Sequence, residues 1–168
     1  MYIYLTSGTA DYMEKLVEKY TKENLLILHG NGNSVLLHES EKKSVFAMPR
    51  KFEVIDGVGD LQQKGFFVFH NIPVTEEGRP IFEKQFLEQT ASLKSDSSLI
   101  AYRFLRPVKA ETYIILTQWP GPASFEVWKN SSHYKNNIAP LIEESTSTVQ
   151  AIFHATAYTT TYSAPPKK

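Results

Sequence analysis

The sequence contains no cysteine. That absence excludes disulfides, iron–sulfur clusters, thiolate haem ligation and cysteine nucleophiles, and it suits a reducing, cytoplasmic setting. Net charge is also missing, since 18 Lys and Arg offset 18 Asp and Glu. A balanced chain gives no electrostatic ground for expecting nucleic acid, an anionic membrane or a polyanionic substrate as partner. No window approaches the roughly 18 apolar residues of a membrane span. Met1–Ser7 has neither the basic start nor the apolar core of a signal peptide. There is no Gly-x-x-x-x-Gly-Lys run and no Gly-x-Ser-x-Gly elbow, and Gly30-Asn31-Gly32 has no helix after it, so it reads as a turn rather than a dinucleotide cradle. None of the five histidines lies at His-x-His or i, i+4 spacing, so no dedicated zinc site is expected.

What is present is patterned. Tyr2–Thr6 reads as a strand, followed by an amphipathic helix in which Tyr12, Met13, Leu16, Val17 and Tyr20 share one face. Leu25–His29 and Ser34–His38 read as strands joined through Asn31-Gly32, a two-residue hairpin signal in which both central positions take positive φ. Ser44–Met48 reads as a further strand stopped by Pro49, with a short closing segment at Phe52–Val58. In the second half, Gly65–Thr75 reads as a central strand and Glu76–Ser92 as a helix. Leu99–Arg106 and Thr112–Trp119 follow as strands, a helix opens at Gly121-Pro122, and Thr148–Tyr162 reads as a long last strand. The order is β-α-β-β-α-β, a split βαβ pattern. The expected fold class is α+β: a ferredoxin-like βαββαβ domain over residues 63–163, preceded by a smaller α+β domain over residues 1–62 and followed by a solvated tail at 164–168. Thr6, Glu14 and Lys15 recur as Thr75, Glu83 and Lys84 at one constant offset, a hint that the halves are related.

Two residues stand out. Asn71 ends the apolar run Phe66–Phe69, and a buried amide there needs partners, which a neighbouring backbone or a ligand could supply. Trp128, on the short helix after Gly121, could fill a core or face a ligand pocket.

These segments carry a family resemblance. Asn71-Ile72-Pro73-Val74-Thr75-Glu76-Glu77-Gly78, together with Trp119 followed by Ser124-Phe125 and Trp128, resembles the Isd-type haem-degrading monooxygenases within the antibiotic-biosynthesis-monooxygenase (ABM) superfamily. Gly78-Arg79-Pro80 and Leu105-Arg106-Pro107 look like its two-domain HmoB/TRAP-like branch. The resemblance implies that Asn71 hydrogen-bonds the ligand on a haem iron and that Trp128 presses on the porphyrin, with Phe86 as a wall residue. Haem would then be both cofactor and substrate, consumed with O2 and electrons from an external donor, an unknown reductase. The family's axial histidine falls at Ile138, which cannot ligate iron. His133 is the substitute ligand, provided that its helix breaks near Asn136-Asn137 and Pro140. His70 would replace Asn71 in the pocket if the strand register slipped by one, and His154 is a remoter candidate. The expected function is therefore oxidative haem degradation with atypical axial ligation. Its rivals are a non-enzymatic regulatory protein of the same fold and a superfamily monooxygenase acting without haem. If residues 1–62 cover the open sheet, the protein is expected to be a monomer, or at most a weak dimer.

Overall fold

The computed structural model describes residues 1–143 and 156–166. The first half of the chain runs β1 (Tyr2–Gly8), α1 (Ala10–Lys19), β2 (Leu25–His29), β3 (Ser34–Ser40) and β4 (Arg50–Val58). The second runs β5 (Phe66–Pro73), α2 (Arg79–Leu87), α3 (Ala91–Lys94), β6 (Ala101–Pro107), β7 (Thr112–Trp119), α4 (Pro122–Lys129), α5 (Ala139–Ile142) and β8 (Tyr158–Ser163). Between α4 and α5, Tyr134–Ile138 forms a π-helical turn.

The strands pair antiparallel in the order β1-β3-β2-β8-β5-β7-β6-β4, and β4 returns to β1 to close a barrel. Within each half the order is fourth, first, third, second: β4-β1-β3-β2 and β8-β5-β7-β6. Both halves thus wind in the ferredoxin-like manner expected of the second, but the first has the loop 41–49 where the second has α4 and α5. Residues 1–62 supply four strands of one closed barrel. Ala10 and Arg79, the first residues of α1 and α2, stand at the same offset as Thr6 and Thr75.

Strand alternation divides the side chains between three apolar clusters. Ile3, Leu5, Leu28, Leu37, Phe67, Phe69, Leu105, Ile114 and Leu116 fill the barrel interior and come from both halves. Outside the second half, Val68, Ile72, Phe104 and Ile115 pack under the helices with Phe82, Phe86, Phe125 and Trp128. Outside the first half, Tyr4, Leu25 and Leu36 pack with Met13 of α1 and Phe46 of the loop. The interior also holds an ion pair between the halves. Arg103 of β6 donates from Nε to Glu39 Oε2 of β3 at 2.7 Å, and its other nitrogens reach the Val58, Gly59 and Tyr102 carbonyls. These partners satisfy a guanidinium that burial would otherwise leave costly.

Several elements differ from expectation for local reasons. Ser44–Met48 is not a strand: Ser44 Oγ accepts from the Phe46 N–H at 3.1 Å and meets His38 Nδ1 at 3.2 Å, folding the segment into a turn. The strand is Arg50–Val58 instead, longer than the expected closing segment, and it joins β1 to β6. In the β2–β3 turn only Gly32 has positive φ, so Asn31 does not adopt the conformation expected of both central residues. The helix expected from Glu76 begins at Arg79, after a turn held by Thr75 Oγ1 on the Gly78 N–H. It ends at Leu87, and Ala91–Lys94 forms a separate short helix. The tail is held as far as Pro165, because Ala164 N–H donates to Gly65 O and Gln63 Nε2 to Pro165 O. The expected strand over 148–155 lies outside the described residues.

Candidate functional site

β5 is central in its sheet, paired along its length to β7 and β8, and its alternation decides which side chains face the helices. Phe67 and Phe69 point into the barrel. Asn71 follows them, and its Nδ2 donates to Phe69 O at 3.1 Å, to Tyr158 O at 3.3 Å and to Thr160 Oγ1 at 3.2 Å. Thr160 is the register partner of Phe69, which puts it on the interior side as well. Asn71 is therefore an interior amide whose N–H groups serve the sheet. Val68, His70 and Ile72 point the other way, under α4.

The structure thus brings His70, not Asn71, to Trp128. The two rings are 6.4 Å apart, edge to face, with Phe125 at 6.0 Å and Tyr134 at 6.4 Å from His70. Trp128 in turn packs on Tyr134 at 4.7 Å and on Trp119 at 5.6 Å. Gly121 and Pro122 start α4 as its sequence implies. The helix ends at Lys129, where Ser131 Oγ donates to Trp128 O and Asn130 Nδ2 to Glu126 O.

Among the described residues, two buried atoms of this cluster have no hydrogen-bond partner: His70 Nδ1 and Trp128 Nε1. Unpaired buried polar atoms are uncommon in folded proteins and call for an explanation. Burial holds the His70 pKa down to about 4, Lys129 adds to the shift, and a backbone hydrogen bond at Ile115 opposes it. The imidazole is consequently neutral at pH 7. A neutral imidazole keeps one unprotonated ring nitrogen, and with the proton on Nε2 the lone pair would be at Nδ1. A cavity of about 200 Å³ opens beside His70 and is bounded by Ile142, Glu143 and Thr156–Thr159. Glu143 Oε1 accepts from the Tyr134 hydroxyl at 2.6 Å, and burial followed by that bond drives the Tyr134 pKa upward.

The other expected site residues lie elsewhere. His133 has both ring nitrogens engaged, Nε2 with Gln89 O at 3.1 Å and Nδ1 with Asn137 Nδ2 at 3.2 Å. Phe86 packs on Phe104 at 4.6 Å and on Phe82 and Tyr102, inside the helix-side core. Ile138 is buried in that core at the end of the π-helical turn. His154 lies outside the described residues.

Residues 65–139 match the family model described as antibiotic biosynthesis monooxygenase, and the chain carries an ABM domain there. The signal transduction protein TRAP of Staphylococcus epidermidis is 27% identical over 139 residues, covering 83% of each chain. A heme-degrading monooxygenase of Listeria monocytogenes is 24% identical over 129 residues, covering 77% of each. The solved structure of a major regulator of staphylococcal pathogenesis superposes with a TM-score of 0.87 at 21% identity, over 98% of this chain and 99% of that one.

Proposed function

We propose that this protein binds haem on the helix side of β5, with His70 as the iron ligand and Trp128 as a wall, and that it degrades haem oxidatively. The observation that carries the reading is the unpaired Nδ1 of a neutral, buried imidazole set edge-on to an equally unpaired indole. The donor chemistry suits haem: an imidazole lone pair for iron and aromatic faces for the macrocycle. The space does not yet suit it, since about 200 Å³ is less than the roughly 300–1,000 Å³ of ordinary ligand pockets. Binding therefore requires the walls of this cavity to open further. Haem bound there would supply the oxygen-activating iron, with O2 and an external electron donor as co-reactants. His70 would hold the iron, while the aromatic cluster excludes water and shapes the ring. A heme-degrading relative supports this reading.

A second reading is a non-enzymatic regulatory protein that retains the fold. It is favoured by Ile138, which fills the core where the family resemblance puts an axial histidine. TRAP, described as a signal transduction protein, is a relative in keeping with it.

Titrating haemin into the full chain and following the Soret band separates the two. The haem reading expects a saturable Soret shift, loss of the band on adding a reductant in air, and a changed Soret position in His70→Ala but not in His133→Ala. A featureless titration leaves the regulatory reading.

A further inference from the structure

A larger opening lies on the other half of the barrel, on the outward face of β1 and β4 beneath the loop 41–49. Its volume is about 810 Å³, within the range of small-molecule sites. Tyr2, Tyr4 and Phe46 give it aromatic walls. Around them stand Lys42, Lys43, Arg50, Lys51 and Lys109, against Glu41 as the one carboxylate among the lining residues. In a chain with no net charge this is a local excess of positive charge, and it focuses an attractive potential on anions. Lys51 is the clearest case. Its Nζ sits 4.4 Å from the centre of the Tyr2 ring and 5.9 Å from that of Tyr4, and no salt bridge joins it to a carboxylate among the described residues.

The roof is anchored. Tyr4 donates its hydroxyl to Lys42 O at 2.9 Å, and Ser44 is held by His38 and by the Phe46 N–H. The opening also occupies the position in the first half that the His70 cavity occupies in the second. Each lies on the outward face of its half's first strand, under the segment between the third and fourth strands.

We infer that this cleft is a second ligand site, taking a planar aromatic acid whose ring lies against the part-exposed Tyr2, backed by the buried Tyr4, and whose anionic group pairs with Lys51 and its cationic neighbours. The aromatic walls favour a flat π-system and the exposed cations a single carboxylate or sulfonate. The inference does not depend on whether the other half binds haem.

The test uses 2-naphthoate as probe and neutral 2-naphthamide as its isostere, titrated into the isotopically labelled full chain and followed by amide chemical shifts. Saturable shifts are expected at Tyr2, Tyr4, Ser44–Phe46 and Lys51, with affinity falling as salt is raised. Naphthamide should bind at least fivefold more weakly. Lys51→Met should weaken naphthoate about three- to tenfold, whereas Lys51→Arg should retain it. Lys51 is exposed, so the spectra of both variants should remain those of the folded protein. Equal affinity for acid and amide, an unaffected Lys51→Met, shifts gathered at His70 and the Trp128 indole instead, or no saturable shift at all would each overturn the proposal.

Discussion

His70 is a histidine that the folded protein keeps from charging. Its pKa of about 4 lies well below the 6.5 of an unburied imidazole. As pH falls below 6.5 the unfolded chain takes up a proton that the folded chain refuses until about pH 4. Stability is therefore fully present above 6.5 and drains away across that interval, by at most about 1.4 kcal/mol per pH unit. Urea unfolding between pH 7 and 4.5 should show this slope in the wild type, and His70→Phe, aromatic but unable to titrate, should flatten it. Parallel slopes would mean that the fold accepts the imidazolium. Glu83 acts in a lower window. Burial alone would raise its carboxyl, but Arg106, bonded at 2.8 and 2.5 Å, and the Tyr113 hydroxyl outweigh burial and hold it below 4.5. Residue-scale reasoning from sequence found β5 but not which of its side chains face the helices. The apolar run Phe66–Phe69 carries both faces, so nothing local said whether Asn71 or His70 looked toward Trp128. A one-residue shift reverses every such assignment.

At the scale of elements, the segment between β4 and β5 is held at both ends and along its length. Gly59 and Gly65 bound it, both with φ of 75°, and a Cβ would lie 2.1 Å from Ile100 O and 2.3 Å from Trp119 O respectively. Gln118 fastens the segment by accepting from the Gln62 N–H and donating to the Gln62 and Lys64 carbonyls. Gln63 pairs with Ile27 through both backbone groups, standing in for a strand neighbour beside β2. Gly65→Ala should cost about 3 kcal/mol or more, because it adds a backbone collision to the conformational strain. Gly32→Ala, with φ of 90° but open space around it, should cost about 1 kcal/mol. Equal losses in chemical denaturation would remove the collision from the account. The second half was legible because its strands and helices keep clean periods and its helix at Pro122 announces itself. The first half was less so. β4 carries Lys51, Glu53 and Asp56 among its apolar positions and a register shift between Val54 and Asp56, so its pattern looked like a short closing segment. Barrel closure depends on contacts between distant strands, which no local period records.

At the scale of the whole molecule, closure gives the interior to both halves, joining β4 to β1 over four residue pairs and β2 to β8 only at His29 opposite Ser163. The short β2–β8 seam is covered at Ile27 by the Gln63 side chain, which blunts that edge against a second copy, and the full chain is expected to sediment as a monomer. A fragment of residues 63–168 would expose Phe67, Phe69, Ile114 and Leu116 and should dimerise or aggregate. A monomeric, folded fragment would show that the second half needs no cover. The repeated strand order has a further consequence. Were the two halves separate identical chains, any substitution would appear on both outer faces at once, and the two faces could never differ in what they hold. Joined in one polypeptide they mutate singly. One face has closed around an imidazole and an indole, while the other has kept a wide, cation-rimmed opening. Within one polypeptide each face keeps its own hereditary record.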